Sequence, residues 1–208
     1  EAAATGDENT AFYRLTKRAY QPVAGLPGVP YACLRIPTGG GKTLIASHAV
    51  GLVADVLLKT DNPCALWLVP SNAIREQTIL ALSNRTHPYR QALAERFGEN
   101  VRVMGVPEAL YAKRADYDGG AVVIVSTVQS FRVDETEGRK VYEANGELMD
   151  HFSGLTDSQK RRLEEANNGL PVPSLCNALK IRRPMVIVDE AHNARTPLSF
   201  ATLARLDP

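Results

Sequence analysis

Short apolar runs recur along the chain at the spacing of an alternating strand and helix pattern. Each run has four to seven residues and is followed by a turn or a polar stretch. The runs are 32–36, 65–69, 101–104, 121–126 and 184–190. Apolar runs without polar alternation are typical of parallel strands that are covered on both faces. We therefore predict an α/β fold, with a doubly wound, mostly parallel sheet and helices on both faces.

Helical patterns fill most of the intervals between these runs. Residues 42–59 are apolar on most sides, which favours a helix packed against a sheet. Ser71 offers an N-cap for a helix that continues to about Leu82. A further helix over 88–97 is closed by Gly98.

A polar segment at about 132–183 interrupts this alternation. Its mixed charges are usual for a solvated surface, so we predict an insertion that leaves the sheet. Within it, Thr156 and Gln159 have the spacing of a capping box at the start of a helix. The run Asn167-Asn168-Gly169 is expected to end that helix.

Composition limits the number of domains and the kinds of partner. With 208 residues and 44% hydrophobic content, the chain is predicted to form a single domain over residues 1–208. The formal net charge is only +1, which disfavours a strong nonspecific nucleic-acid binder. Because the chain starts without methionine and stops soon after a motif described below, we expect it to be a fragment of a longer protein.

Cysteine usage and hydropathy indicate the compartment. The three cysteines lie far apart, without the paired spacing of a zinc site or a disulfide framework. Inert thiols in a reducing, cytoplasmic compartment are the expectation. The longest apolar run, 44–58, contains His48 and Asp55 and is too short to cross a bilayer, so no membrane contact is predicted.

Candidate chemistry begins at the stretch IPTGGGKT, residues 36–43. Phosphate binding needs backbone N–H groups around an anion, a helix N-terminus behind it and a cation in front. Lys42 supplies the cation and Thr43 a hydroxyl for a magnesium ion. The loop itself consists of Thr38, Gly39, Gly40 and Gly41. Ile36 stands where the standard spacing has a glycine, and a plain glycine turn before an ordinary helix is the alternative interpretation.

A second candidate is MVIVDEAH, residues 185–192, in which Asp189 and Glu190 follow four apolar residues. Taken alone, such carboxylates could simply solubilise a loop. However, the carboxyl ends of parallel strands meet at one edge of a sheet, where the phosphate loop also emerges. This placement favours a magnesium ligand and a group that orients an attacking water.

Together these two stretches resemble motifs I and II of the superfamily 2 helicases and translocases of the DEAH type. LVPSNAIREQ at 68–77 resembles motif Ia, and VIVSTVQSF at 123–131 resembles motif Ib. The Ile36-Pro37 start and the DEAHNARTP continuation are most similar to the helicase (res) subunit of type III restriction enzymes. The resemblance implies the first RecA-like domain of a P-loop ATPase that uses ATP and Mg²⁺.

The resemblance also implies roles for individual residues. Lys42 would contact the β- and γ-phosphates, Thr43 and Asp189 would hold magnesium, and Glu190 would polarise the hydrolytic water. His192 would link the nucleotide site to the motif that follows. The catalytic set is therefore Lys42, Glu190 and His192.

Three further residues match family positions that follow a nucleic-acid backbone: Ser71, Asn72 and Thr127. Such contacts carry little sequence information. Ser71 is equally well explained as an N-cap and Thr127 as the end of a strand. The implied partners are nucleic acid, with DNA favoured over RNA, a second RecA-like lobe in the same full-length chain, and a possible nuclease or methyltransferase.

Two other functions are compatible with the same residues. A P-loop kinase or metabolic ATPase would need no motif Ia or Ib. A nucleotide-holding module could instead dock partners through residues 132–183. Both differ from a translocase in being indifferent to nucleic acid.

Overall fold

The computed structural model describes residues 8–23, 26, 28–37, 39–131, 140–191 and 197–208. Its centre is a four-stranded sheet in which every pair of neighbouring strands is parallel. In chain order the strands are β1 (Cys64–Val69), β2 (Val101–Met104), β3 (Ala121–Thr127) and β4 (Met185–Val188). Their spatial order is β2-β3-β1-β4. The predicted doubly wound, parallel α/β fold is therefore confirmed.

The described part of the chain contains nine α-helices. They are α1 (Glu8–Thr16), α2 (Lys42–Val53), α3 (Asn72–Ser83), α4 (Pro88–Phe97), α5 (Val106–Ala109), α6 (Arg114–Asp118), α7 (Asp157–Lys160), α8 (Leu175–Arg182) and α9 (Pro197–Leu206). A π-helical stretch, Ala54–Leu58, prolongs α2, and two 3₁₀ segments lie at Val128–Phe131 and Gly146–Phe152. The expected N-cap Ser71 and the expected end at Gly98 are both observed.

The two faces of the sheet are covered by different helices. Trp67 on β1 is fully buried under α2, α3 and α4. Leu66 and Leu68, which point to the opposite face, pack with α5, α6, α8 and α9. The described helices include none that is both long and apolar enough to cross a membrane.

We predicted that the polar segment forms an insertion that leaves the sheet, but the structure places it differently. Its described part, 140–183, covers one face of the sheet, where Leu148, Leu175 and Leu179 are fully buried beside Leu66. These leucines are scattered among charged residues, so their burial could not be predicted from the composition of the segment. The capping box at Thr156 is present, but the helix that it begins ends at Lys160, and 167–169 belongs to a separate turn.

The predicted strand at 32–36 is absent. The segment is irregular, and Leu34 is 64% exposed. A strand requires a neighbour that accepts its backbone hydrogen bonds. Among the described strands β4 pairs only with β1, and residues 32–36 pair with neither. This segment therefore leads into the glycine-rich loop as an irregular connection.

Candidate nucleotide-binding site

The glycine-rich loop before α2 adopts a conformation that only glycine accommodates without strain. Gly39 and Gly41 have φ angles of 81° and 84°, in the left-handed region. Gly40 lies against Ile36, because a Cβ built at Gly40 would be 2.5 Å from the Ile36 Cγ2 atom. The Gly40 N–H donates to the Pro37 carbonyl at 3.0 Å. The backbone is therefore folded tightly on itself just before the helix begins.

The N-terminus of α2 is suited to an anion. Gly41 is the N-cap and has no side chain that could accept from the first N–H groups of the helix. The first turn carries no acidic residue. Partial positive charge at a helix N-terminus favours phosphate. The chemistry of this loop therefore fits a nucleotide phosphate, and Thr43, half-buried in the first turn, adds a hydroxyl.

The two candidate carboxylates leave the sheet at the end of β4. The Asp189 N–H donates to the Leu68 carbonyl at 2.8 Å, which extends the pairing of β4 with β1 by one residue. Glu190 then turns the chain with a φ of 50°, and its N–H donates to Asp189 Oδ1 at 2.9 Å. This tight turn places consecutive carboxylates at the same edge of the sheet.

Lys42 and Glu190 form an ion pair although 148 positions separate them in the chain. The distance from Lys42 Nζ to Glu190 Oε1 is 2.9 Å, and the two side chains are 29% and 34% exposed. The structure thus brings together the loop and the strand end that the sequence placed at one site. Thr43 and Asp189 offer the hard oxygen donors that Mg²⁺ prefers.

Two residues of the expected site, Thr38 and His192, lie outside the described residues. Their roles as a phosphate-loop residue and as a link to a later motif stay predictions.

The three expected nucleic-acid residues have different surroundings. Ser71 and Asn72 are exposed at the start of α3, directly after β1. Ser71 Oγ accepts a long hydrogen bond, 3.4 Å, from the Ile74 N–H and so serves as an N-cap. Both residues are accessible at the edge of the sheet that carries Asp189.

Thr127, by contrast, is only 5% exposed. Its Oγ1 lies 3.1 Å from Ser130 Oγ, and it accepts from the Ser130 N–H at 3.4 Å. This hydroxyl therefore closes the turn after β3. In this conformation the hydroxyl is held inside the buried turn.

Sequence reasoning missed the direct contact between Lys42 and Glu190. It assigned the lysine to phosphate and the glutamate to water, without considering that each could neutralise the other. The signal was present, since a P-loop cation and a strand-end acid at one sheet edge are oppositely charged neighbours.

Comparison with known proteins gives one family. The family model described as "Type III restriction enzyme, res subunit" matches residues 27–206, which is most of the chain. Neither the curated proteins nor the solved structures include a match to this sequence.

Proposed function

The chain belongs to the type III restriction enzyme res-subunit family, and we propose on that premise that it is the ATP-hydrolysing lobe of a DNA translocase or helicase. Family membership makes it a helicase-type ATP-binding domain with a RecA-like fold. The reaction, the metal and the type of nucleic acid are our proposal. The observation that carries it is the contact between Lys42 and Glu190 beside an uncapped helix N-terminus.

Each residue of the site has a chemical task in this proposal. The backbone N–H groups of Gly41 and Lys42 would donate to the phosphates, and the Lys42 ammonium would neutralise their charge. Thr43 and Asp189 hold Mg²⁺, which supplies electrostatic stabilisation of the transferring phosphoryl group. Glu190 orients the attacking water and accepts its proton.

The contact between Lys42 and Glu190 also suggests how the site rests between turnovers. The ammonium is neutralised by the carboxylate that it must leave when phosphates arrive. Release of Glu190 then coincides with the arrival of the substrate, so the carboxylate becomes available to water at the moment when it is needed. This sequence of contacts would limit unproductive chemistry.

Nucleic acid would lie along the same edge of the sheet. Ser71 and Asn72 are exposed there, next to Asp189, and α3 begins with uncharged polar groups suited to a phosphate backbone. We propose DNA as the partner because of the restriction-enzyme family. A second RecA-like lobe would contribute arginines to the transition state, so residues 1–208 alone are expected to bind Mg-nucleotide and to hydrolyse it slowly.

The test is steady-state ATPase activity of the full-length gene product with no nucleic acid, single-stranded DNA, double-stranded DNA and RNA. We expect stimulation by DNA, and we expect Lys42→Ala to abolish it. Turnover that depends on Lys42 but ignores every nucleic acid would replace the translocase by a metabolic ATPase. Turnover that survives in Lys42→Ala would refute the nucleotide site itself.

A further inference from the structure

Two helices flank the strand that carries the proposed catalytic acids. Helix α8 ends three residues before β4 begins, and α9 begins seven residues after Glu190. Their positions therefore limit where Asp189 and Glu190 leave the sheet. On the face opposite Trp67, both helices contact a single carboxylate from the polar segment, that of Glu164.

The Glu164 carboxylate binds both flanking helices. Its Oε1 and Oε2 accept from Nε and Nη2 of Arg205, on α9, at 2.7 Å each. Its Oε1 is also 3.4 Å from Nζ of Lys180, on α8, whose side chain is 8% exposed. Paired N–H donors from a guanidinium fix the geometry of a carboxylate more firmly than a single contact does. The Arg205 guanidinium also lowers the pKa of Glu164 below its usual value, so the carboxylate stays charged near neutral pH.

Hydrogen bonds also hold the backbone of Glu164 in place. Asn177, which is fully buried on α8, accepts from the Glu164 N–H at 2.9 Å through Oδ1. Its Nδ2 donates to the carbonyls of Glu164 and Val172, both at 2.8 Å. An incidental surface ion pair would not need such support, because exposed pairs contribute little by themselves.

The same cluster extends to the turn after β3. The Arg205 guanidinium carbon lies 3.8 Å from the centre of the Tyr142 ring. Tyr142 Oη donates to the Phe131 carbonyl at 2.7 Å. Phe131 ends the 3₁₀ segment that follows Thr127, on the side of the molecule where nucleic acid is proposed to lie.

We propose that Glu164 is a positioning residue, which holds α8 and α9 together and so fixes the end of β4 from which Glu190 acts, and that Tyr142 joins the turn after β3 to this arrangement. The inference rests on the proposed function, since it concerns the geometry of that ATPase site. Glu164 touches no reacting group. Its effect passes through Lys180 and Arg205 to the elements on either side of β4.

The test compares Glu164→Gln with Glu147→Gln in the full-length protein. Glu147 belongs to the same polar segment and pairs with Lys113 at 2.6 Å, so the control makes the same chemical change to another ion pair. For Glu164→Gln we expect the DNA-stimulated kcat to fall about tenfold, because charged hydrogen bonds become neutral ones. The Kd for Mg-ADP should stay within about twofold, since the residues that hold phosphate are untouched.

Three results would overturn the inference: a kcat within twofold of wild type, an equal loss in Glu147→Gln, or a loss confined to nucleotide affinity. If Glu164→Gln melts below the assay temperature, Tyr142→Phe decides the matter, since it removes only the hydrogen bond to Phe131. That variant should lower the ratio of DNA-stimulated to unstimulated turnover, and an unchanged ratio would count against the proposal. Lys42→Ala, measured in parallel, separates the two hypotheses, because wild-type turnover that is independent of Lys42 refutes the ATPase site itself.

Discussion

Replacing Glu190 by glutamine should strengthen nucleotide binding while it stops hydrolysis. In the structure Glu190 Oε1 accepts from Lys42 Nζ at 2.9 Å, so phosphates must compete with this carboxylate for the lysine. Glutamine keeps the shape of the side chain but loses its charge. It therefore releases the ammonium and removes a repulsion between the carboxylate and the phosphates.

The size of the gain follows from the exposure of the pair. Both side chains are about one-third exposed, and ion pairs near the surface are worth up to about 1 kcal/mol. Relief of that contact corresponds to a Kd that is lower by up to about fivefold. Lys42→Ala, which deletes a charged donor to phosphate worth about 1.5–3 kcal/mol, should instead raise the Kd roughly 10- to 150-fold.

The assay is isothermal titration calorimetry with Mg-ADP on wild type, Glu190→Gln and a control, Glu99→Gln. Glu99 pairs with Arg85 at 3.0 Å and lies just before β2, at the opposite edge of the sheet from the glycine-rich loop. The Kd of Glu99→Gln for Mg-ADP should therefore equal that of wild type. The reasoning fails if Glu190→Gln binds Mg-ADP more than twofold more weakly than wild type. It also fails if the Glu99 control tightens binding by the same factor.

Three further predictions concern the loop and the fold. Gly40→Ala places a methyl group 2.5 Å from Ile36 Cγ2, so the exposed loop must shift to relieve the contact, with little change in the melting temperature. Returning the loop to its present shape on binding then costs about 1–3 kcal/mol, which should raise the Kd for Mg-ADP at least about fivefold. Asn177→Ala leaves backbone groups around Glu164 without partners and should lower the free energy of unfolding in urea by about 3 kcal/mol, whereas a loss below 1 kcal/mol would contradict the hydrogen bonds assigned to it. Burial lowers the pKa of His151, so as the pH falls the unfolded chain binds this proton first, at about pH 6.5. The free energy of unfolding should therefore decrease as the pH drops below about 6.5. His151→Gln should weaken this dependence of stability on pH, which urea titrations of both proteins at pH 7 and pH 5.5 would test.

The sequence was most informative where a local rule acts alone. The helix that starts after Ser71 and the turn at Gly98 follow from short-range hydrogen bonding and from glycine's access to left-handed φ angles. The strands were predictable because continuous apolar runs have few other uses in a chain of this size. The tight backbone of the glycine-rich loop was predictable because glycine adopts left-handed φ angles without strain.

Long-range packing was the part that the pattern could not reveal. The segment 140–183 has the composition of a solvated surface, yet Leu148 and Leu179 complete one face of the core. Whether an isolated leucine is buried depends on which helix lies above it, and that is decided by the sheet order. For the same reason the apolar run 32–36 is no strand in the structure. A strand needs a neighbouring strand to bond with, and the tertiary structure decides whether one lies beside it.

Thr127 shows a similar limit at the level of a single side chain. A motif comparison identifies a hydroxyl at the end of β3 but carries no information on which way it points. The hydroxyl of Ser130, three residues later, provides a partner within the turn. A hydrogen bond within the turn competes with a hydrogen bond from this hydroxyl to any external ligand.

The hydrogen bond from the Asp189 N–H to the Leu68 carbonyl fixes the register of β4 against β1 at the carboxyl end of the sheet. Side chains alternate between faces along a strand, so one inserted or deleted residue in β4 would exchange the positions of Asp189 and its neighbours. The proposed metal ligand and the proposed water-orienting base would then change places or point into the core. Family members should therefore keep the count of residues from Met185 to Glu190 constant.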